Sequence, residues 1–259
     1  MIHLEIVAMS GHSKWHSIRH KKAAVDSKRS KIFTRLIKEI MVSARIGGGN
    51  VDSNSRLRAA IQTAKNANMP QDNIKRAVMK GTGELPGVHY EPITYEGFGP
   101  GGTAVLLECL TDNRNRTVAE IRHIFSKYGG SLGETGSVNW IFQRKGYFCV
   151  QKDVISEEKV LEIALEAGAE DMQMDSDCYE VFTPFDNFEK VRHALEIASV
   201  QSTVSSLTMI PSSEVKLEGK TAVRMLALME SLEEHDDVQN AYANFDIEEA
   251  EMQTFENVE

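Results

Sequence analysis

Six segments between residues 146 and 210 decide the fold: GYFCV (146–150), SEEKVLEIALEA (156–167), DMQMDSD (171–177), YEVFT (179–183), FEKVRHALEIA (188–198) and VSSLTMI (204–210). Four of them are short and either apolar or alternating in polarity, which is typical of strands. The other two repeat apolar residues every three or four positions, as the buried face of a helix does. The order strand–helix–strand–strand–helix–strand predicts a split βαβ sheet with two helices on one face.

Parts of a second α/β unit lie on either side of this stretch. Strand patterns occur at 93–96 and 103–110, and a helix is predicted at 117–128 with Thr117 and Glu120 as a capping box. A further helix at 221–232 and a strand at 238–247 complete that unit. We therefore predict an α+β multidomain protein: a helical domain at 9–87, then two ferredoxin-like α/β domains, at 88–137 plus 212–259 and, inserted into it, at 138–211.

The amino-terminal part reads as three helices. In KIFTRLIKEIMVSAR (31–45) the apolar residues fall on one helical face, and Lys31, Arg35, Lys38 and Arg45 fall on the opposite one, which we expect to be exposed. Two shorter helices follow, ending before Pro70 and near Gly81. The Gly- and Pro-rich segment 81–87 predicts a linker that few contacts cross, so that the helical domain can swing.

Charge is divided unevenly along the chain. Residues 9–80 carry sixteen Lys or Arg against four acids, a net charge of +12, whereas residues 81–259 carry −20. The total of −9 therefore hides a basic arm joined to an acidic body. A basic segment of this kind favours a polyanionic partner, most simply nucleic acid, over a merely solvated helical face.

The candidate nucleic-acid contacts all lie in this basic region. The segment SGHSKWHSIRHKK (10–22) combines cations that can neutralise phosphates with an aromatic ring that can stack on a base. Trp15 could equally anchor the arm on the helical domain. The candidates are Lys14, Trp15, Arg19, His20, Lys21, Lys22, Lys28, Arg29, Lys31, Arg35, Lys38 and Arg45.

Two local patterns suggest chemistry that the surrounding residues do not support. His12, His16 and His20 are spaced as metal ligands on one helical face can be, but no Cys or acid joins them, so no metal site and no cofactor is predicted. The segment GFGPGG (97–102) resembles a phosphate loop, yet it opens a strand rather than a helix. A hairpin turn is the better interpretation.

Arg114 and Arg116 form a secondary candidate site. They lie in TDNRNRT (111–117), between a predicted strand and helix, within an acidic part of the chain. They could contact a phosphate near the start of the helix, or they could pair with local acids; the sequence leaves both open.

The sequence contains no recognised nucleophile–base motif, which favours a protein that is not an enzyme. An enzyme or small-molecule sensor that uses Arg114, Arg116 and Glu134 in a cleft between the α/β domains remains a third hypothesis.

Cys109, Cys149 and Cys178 lie in apolar runs without CxxC spacing, so buried reduced thiols and a cytoplasmic location are expected. No apolar run is long enough for a membrane span.

The motifs together resemble the YebC/PmpR family, which includes the mitochondrial translational activator of cytochrome oxidase. The resemblance runs from about Met9 to Ile247, and residues 1–8 precede the family pattern. Its motifs are GHSKW (11–15), Lys21 and Lys22, Asp26, Arg29, Lys31, Phe33, NANMP (66–70), Asn73 and Ile74, YEGFGPGG (95–102), TDNRNRT (111–117) and GETGSV (133–138).

This resemblance implies three domains and a cytoplasmic, non-enzymatic protein. It implies transcriptional regulation through DNA binding as the leading function. The mitochondrial relative implies the alternative, a ribosome-associated translation factor that binds ribosomal RNA. The sequence does not separate DNA from RNA, and it leaves the oligomeric state open, with a monomer among the possibilities.

Overall fold

A computed structural model describes residues 26–174 and 178–248, with side chains from residue 30 onward. Its described part divides into two compact units. The larger unit comprises 26–139, 217–243 and 247–248, and the inserted unit comprises 140–216 and 244–246. The helical region and the first α/β region fall in the same compact unit. The division into these two units therefore does not test the predicted domain boundaries, which stay predictions.

Three helices open the larger unit: α1 (Asp26–Gly47), α2 (Ser55–Asn66) and α3 (Gln71–Thr82). Their apolar faces form one core around Ile40, Leu57 and Ile74, as the helical spacing predicts. Gly81 lets α3 approach α1, because a Cβ there would lie 2.5 Å from the carbonyl oxygen of Met41.

A four-stranded sheet and two helices follow the helical region in the larger unit. Its strands are β1 (Glu91–Phe98), β2 (Ala104–Thr111), β3 (Ser131–Leu132) and β9 (Val238–Ala243), in the order β3-β1-β2-β9. Helices α4 (Arg114–Lys127) and α7 (Gly219–Glu234) belong to the same unit. β1 and β2 pair antiparallel, from Glu91 opposite Thr111 to Phe98 opposite Ala104. The Gly-rich segment 97–102 therefore contains the end of β1 and the predicted hairpin turn.

The inserted unit has the predicted alternation of strands and helices. Its elements are β4 (Phe142–Gln151), α5 (Glu157–Glu166), β5 (Asp171–Met174), β6 (Cys178–Pro184), α6 (Phe188–Ile197) and β7 (Ser202–Pro211). The four strands pair antiparallel in the order β5-β6-β4-β7. Phe148, Val181 and Val191 lie in the core between this sheet and its helices. Short strands β8 (Val215–Lys216) and β10 (Phe245–Asp246) pair parallel in the same unit.

Two predicted elements differ from the observed ones. The helix predicted to begin at Thr117 begins at Arg114, since the side chain of Asn113 accepts a hydrogen bond from the Arg116 backbone N–H at 3.1 Å and caps the helix. The capping box was therefore wrong, and Thr117 is buried inside α4. The strand predicted at 238–247 is interrupted at Asn244 and forms β9 and β10.

Two further predictions concern the cysteines and membrane spans. Cys109, Cys149 and Cys178 are all buried, as the sequence predicted, and no disulfide joins them in the described part of the chain. Among the described residues, no helix combines the length and the apolar character needed to cross a membrane.

Candidate nucleic-acid interface

Half of the candidate contacts lie in the amino-terminal arm, outside the described residues: Lys14, Trp15, Arg19, His20, Lys21 and Lys22. The histidine pair His12 and His16 lies there too. Lys28 and Arg29 fall in the first turns of α1, where the structure describes the backbone only. Side chains of the candidate cations are described from Lys31 onward.

The polar face of α1 lies against the carboxyl end of α7. Lys31 Nζ is 3.8 Å from Glu234 Oε1, an ion pair between two exposed side chains. Arg35 Nη2 donates a hydrogen bond to the Glu233 carbonyl oxygen. Lys38 is only 5% exposed, which corrects the expectation that it lies on an open surface. Lys31, Arg35 and Lys38 therefore contact the α/β sheet region across the linker. The swing of the helical domain stays a prediction.

Asp237 is the acid around which these contacts converge. It directly precedes β9, and its carbonyl oxygen accepts a 2.8 Å hydrogen bond from the Leu110 N–H at the end of β2. Its Oδ1 lies 2.8 Å from Lys38 Nζ. Its Oδ2 accepts from Arg116 Nη2 at 2.8 Å and from Thr117 Oγ1 at 2.7 Å. The carboxylate of Asp237 thus joins α1 to α4, and its carbonyl oxygen joins the same residue to the sheet.

The electrostatics of this cluster keep Asp237 ionised. Burial by itself would raise the pKa of the Asp237 carboxyl, but the hydrogen bonds from Lys38, Arg116 and Thr117 outweigh it and lower that pKa to about 2. The hydrogen bond between Arg116 and Asp237 also raises the pKa of the Arg116 guanidinium. Lys38 also donates to the Asp236 carbonyl oxygen at 2.9 Å and lies 5.0 Å from the centre of the Tyr90 ring.

The two arginines of the secondary site are both paired with acids. Arg114 donates from Nε and Nη2 to the two carboxylate oxygens of Glu91, at 2.7 and 2.8 Å. Arg116 bridges Asp237 and Asp112, the latter at 2.9 Å. Of the two alternatives for Arg114 and Arg116, the structure shows pairing with acids, of which only Asp112 is local in the sequence.

Glu96 holds the GETGSV motif in place. Its carboxylate accepts hydrogen bonds from the backbone N–H groups of Gly136, Val138 and Asn139 at 2.7, 2.7 and 2.9 Å. Burial works to raise the pKa of Glu96, but these backbone donors and that of Ser137 hold it below the usual range. This explains in physical terms why YEGFGPGG and GETGSV occur together: one motif supplies the carboxylate that orders the other.

The described residues contain two other features that could bind a ligand: a cluster of two acids with a histidine, and a cavity. Glu120, His235 and Asp237 offer metal-ligand atoms within 4.8 Å of one another. However, Lys38 and Arg116 already contact both oxygens of Asp237, and their charges oppose a metal ion. A cavity of about 520 Å³ opens in the inserted unit beside Arg192, Ser199 and Ser205, and neither Arg114, Arg116 nor Glu134 lines it.

Several cations of the helical region remain exposed. Arg45 lies in the last turn of α1, Arg58 and Lys65 lie on α2, and Lys75 and Arg76 lie on α3. Only Arg45 was among the candidates. The outward positions of the other four follow from the helical period of α2 and α3, which could have identified them. Asp237, by contrast, has no local signal, because its partner Lys38 is 199 residues away in the sequence.

Comparisons with known proteins agree over nearly the whole described chain. The family model described as the TACO1/YebC protein N-terminal domain matches residues 13–84, and the one described as the TACO1/YebC second and third domain matches 90–245. A probable transcriptional regulatory protein of Geobacter sulfurreducens is 58% identical over 245 residues, 95% of this chain and 99% of the relative. One from Acidobacterium capsulatum is 57% identical over 243 residues, 94% of this chain and 98% of the relative.

A solved structure is similar as well. The crystal structure of a conserved hypothetical protein from Aquifex aeolicus is 47% identical in sequence and has a TM-score of 0.80. The likeness covers 91% of this chain and 98% of that one. The α+β multidomain fold is therefore shared over nearly the full length of both chains.

Proposed function

The chain belongs to the TACO1/YebC family, and from this premise we propose that it is a nucleic-acid-binding regulatory protein, acting on transcription through its basic amino-terminal region. Similar proteins are named probable transcriptional regulatory proteins, which supports a regulatory role rather than an enzymatic one. The observation that carries the proposal is the +12 charge of residues 9–80 beside the −20 of residues 81–259.

The physical basis is counterion release. Each Lys or Arg that neutralises a phosphate releases a condensed cation from the nucleic acid, and this supplies affinity without regard to sequence. The acidic body repels the same polyanion, so that the basic region alone faces it. Lys31 and Lys38 already contact acids of the larger unit. The residues proposed to contact nucleic-acid phosphates are therefore those that precede them: Lys14, Arg19, Lys21, Lys22, Lys28 and Arg29.

The test compares two variants of the full chain that lose the same charge. One replaces Lys21, Lys22, Lys28 and Arg29 with Ala; the control replaces Lys127, Lys159, Lys190 and Lys220, which are exposed outside the helical region. Fluorescence anisotropy with duplex DNA should show much weaker binding for the first variant and little change for the control. Equal weakening in both would mean that only net charge matters, and would remove the arm from the interface.

A second candidate function is translation, through binding of ribosomal RNA. The observation that favours it is Trp15 between Lys14 and His16, because an aromatic ring among cations suits unpaired bases better than a closed duplex. Sedimentation of a lysate through a sucrose gradient separates the two. Co-migration with ribosomes that survives DNase and is lost with RNase would favour translation, whereas a protein confined to the light fractions would exclude it.

A further inference from the structure

Four cations of α2 and α3 differ from Lys31 and Lys38 of α1 in their surroundings. Arg58, Lys65, Lys75 and Arg76 are exposed. Among the described residues none of the four forms an ion pair, whereas Arg56 of α2 pairs with Glu39. Arg58 donates to the Asp52 carbonyl oxygen, at 3.3 Å, which leaves its charge uncompensated. We call these four residues the α2–α3 surface.

The packing of each helix turns its cations outward. Leu57, Ala60 and Ala64 turn one face of α2 into the core, and Ile74 and Ala77 do the same for α3. Arg58 and Lys65 are seven residues apart, so they share one stripe of α2 about 10 Å long. The cations are thus carried on ordered helices whose opposite faces are buried, and binding costs little backbone entropy.

The composition of the surface indicates its partner. From Ser55 to Thr82 there are six Lys or Arg and one acid, Asp72, and no Phe, Trp, Tyr or His. Proteins that hold single strands stack the bases on aromatic side chains, and these helices offer none. Exposed cations without an aromatic ring for stacking suit a closed duplex, whose bases are paired and whose phosphates are its accessible charge.

We infer that the α2–α3 surface binds the phosphate backbone of duplex DNA. The inference rests on the proposed function, and it adds a contact surface that the sequence motifs did not select. DNA is the duplex chosen because the relatives are named transcriptional regulatory proteins. The surface makes no base contacts in this assignment, so its contribution is the same for every DNA sequence.

The test uses the full chain with Lys65, Lys75 and Arg76 changed to Ala. Its control changes Lys159, Lys190 and Lys220 to Ala, which removes the same charge from exposed sites elsewhere. With duplex DNA, the log–log salt slope of the first variant should become shallower by about one for each phosphate that is no longer neutralised, about three in all. Affinity should fall at least about tenfold at low salt, while the control stays close to the wild type.

The probes are duplex DNA, duplex RNA and single-stranded DNA of equal length. Suppose that the wild type binds duplex DNA, and that binding is weakened by changing Lys21, Lys22, Lys28 and Arg29 to Ala but not by changing Lys65, Lys75 and Arg76. The inference then fails while the proposed function stands. If the wild type binds none of the three, both fail. If the variant loses duplex RNA or single strands but not duplex DNA, the assignment of the partner is overturned. Matching thermal melts for the variant and its control would show that the loss is not one of folding.

Discussion

Lys38 Nζ lies 2.8 Å from Asp237 Oδ1, and the two side chains are only 7% and 4% exposed. One belongs to the helical region and the other to the loop before β9, so this buried ion pair fixes α1 against the α/β region. A cation that its sequence position suggested for phosphate binding has a structural task instead. The basic region therefore contains two kinds of cation: those that contact acids of the protein itself, such as Lys38, and those that are exposed and can bind a partner.

Changing Lys38 to Met should strongly destabilise the protein. It leaves the Asp237 carboxylate buried with one cation fewer, and breaking a buried pair in this way costs about 3–5 kcal/mol. Urea denaturation measures the free energy of unfolding. Lys31→Met is the control, because its ion pair with Glu234 is exposed and should contribute less than about 1 kcal/mol. Equal losses in the two variants would contradict a special role for Lys38.

The Asp237 carboxyl should make stability depend on acid pH. Its pKa is about 2 in the folded protein against an ordinary 3.8. Its contribution, about 2 kcal/mol, is therefore present above about pH 4 and is lost as the pH falls toward 2. The stability difference between the wild type and Asp237→Asn should shrink by that amount over this range. A difference that stays constant with pH would mean that Asp237 is not the group that titrates.

Glu96→Gln should loosen the loop that contains GETGSV. The carboxylate accepts from three backbone N–H groups, whereas an amide presents one NH₂ group toward them, so a loss of about 2–3 kcal/mol is expected. Hydrogen exchange at Gly136, Val138 and Asn139 should accelerate. Glu134→Gln, an exposed change on the same loop, should alter stability by less than about 0.5 kcal/mol. Unchanged exchange in Glu96→Gln would contradict the assignment.

Cys109 should resist alkylation in the folded protein. Burial, followed by the nearby charges of Asp237 and Glu108, raises the pKa of its thiol to about 12, so almost no thiolate is present near neutral pH. Mass spectrometry after iodoacetamide treatment should find Cys109 unmodified until denaturant is added. Rapid labelling of Cys109 under native conditions would show that the β2 region opens far more readily than its packing suggests.

The sequence predicted the secondary structure correctly where the helical spacing of the apolar residues and the capping residues indicated the same element. The apolar spacing in residues 31–45 and 188–198 predicted helices, and α1 and α6 are found there. The start of α4 was missed because Asn113, rather than Thr117, supplies the cap. Both residues are good caps, and only the path of the chain after β2 decides between them.

The charge pairing could not be predicted in the same way. The helical period correctly placed Lys31, Arg35 and Lys38 on the polar face of α1, but it says nothing of what lies opposite. The groups they meet, between Glu233 and Asp237, are about two hundred residues away in the sequence. Whether a polar helical face is exposed thus depends on the tertiary packing. The cations of α1 contact groups of the α/β region, whereas the four cations of the α2–α3 surface are exposed.

The salt dependence of DNA binding by the full chain tests the central claim most directly. If the six cations proposed before Lys31 neutralise about six phosphates, the affinity for duplex DNA should fall with a log–log slope at least as steep as about −5, and contacts of the α2–α3 surface should steepen it by about three more. Changing Lys21, Lys22, Lys28 and Arg29 to Ala should make that slope shallower by about three to four. Binding that is insensitive to salt, or a slope that the four substitutions leave unchanged, would contradict the account.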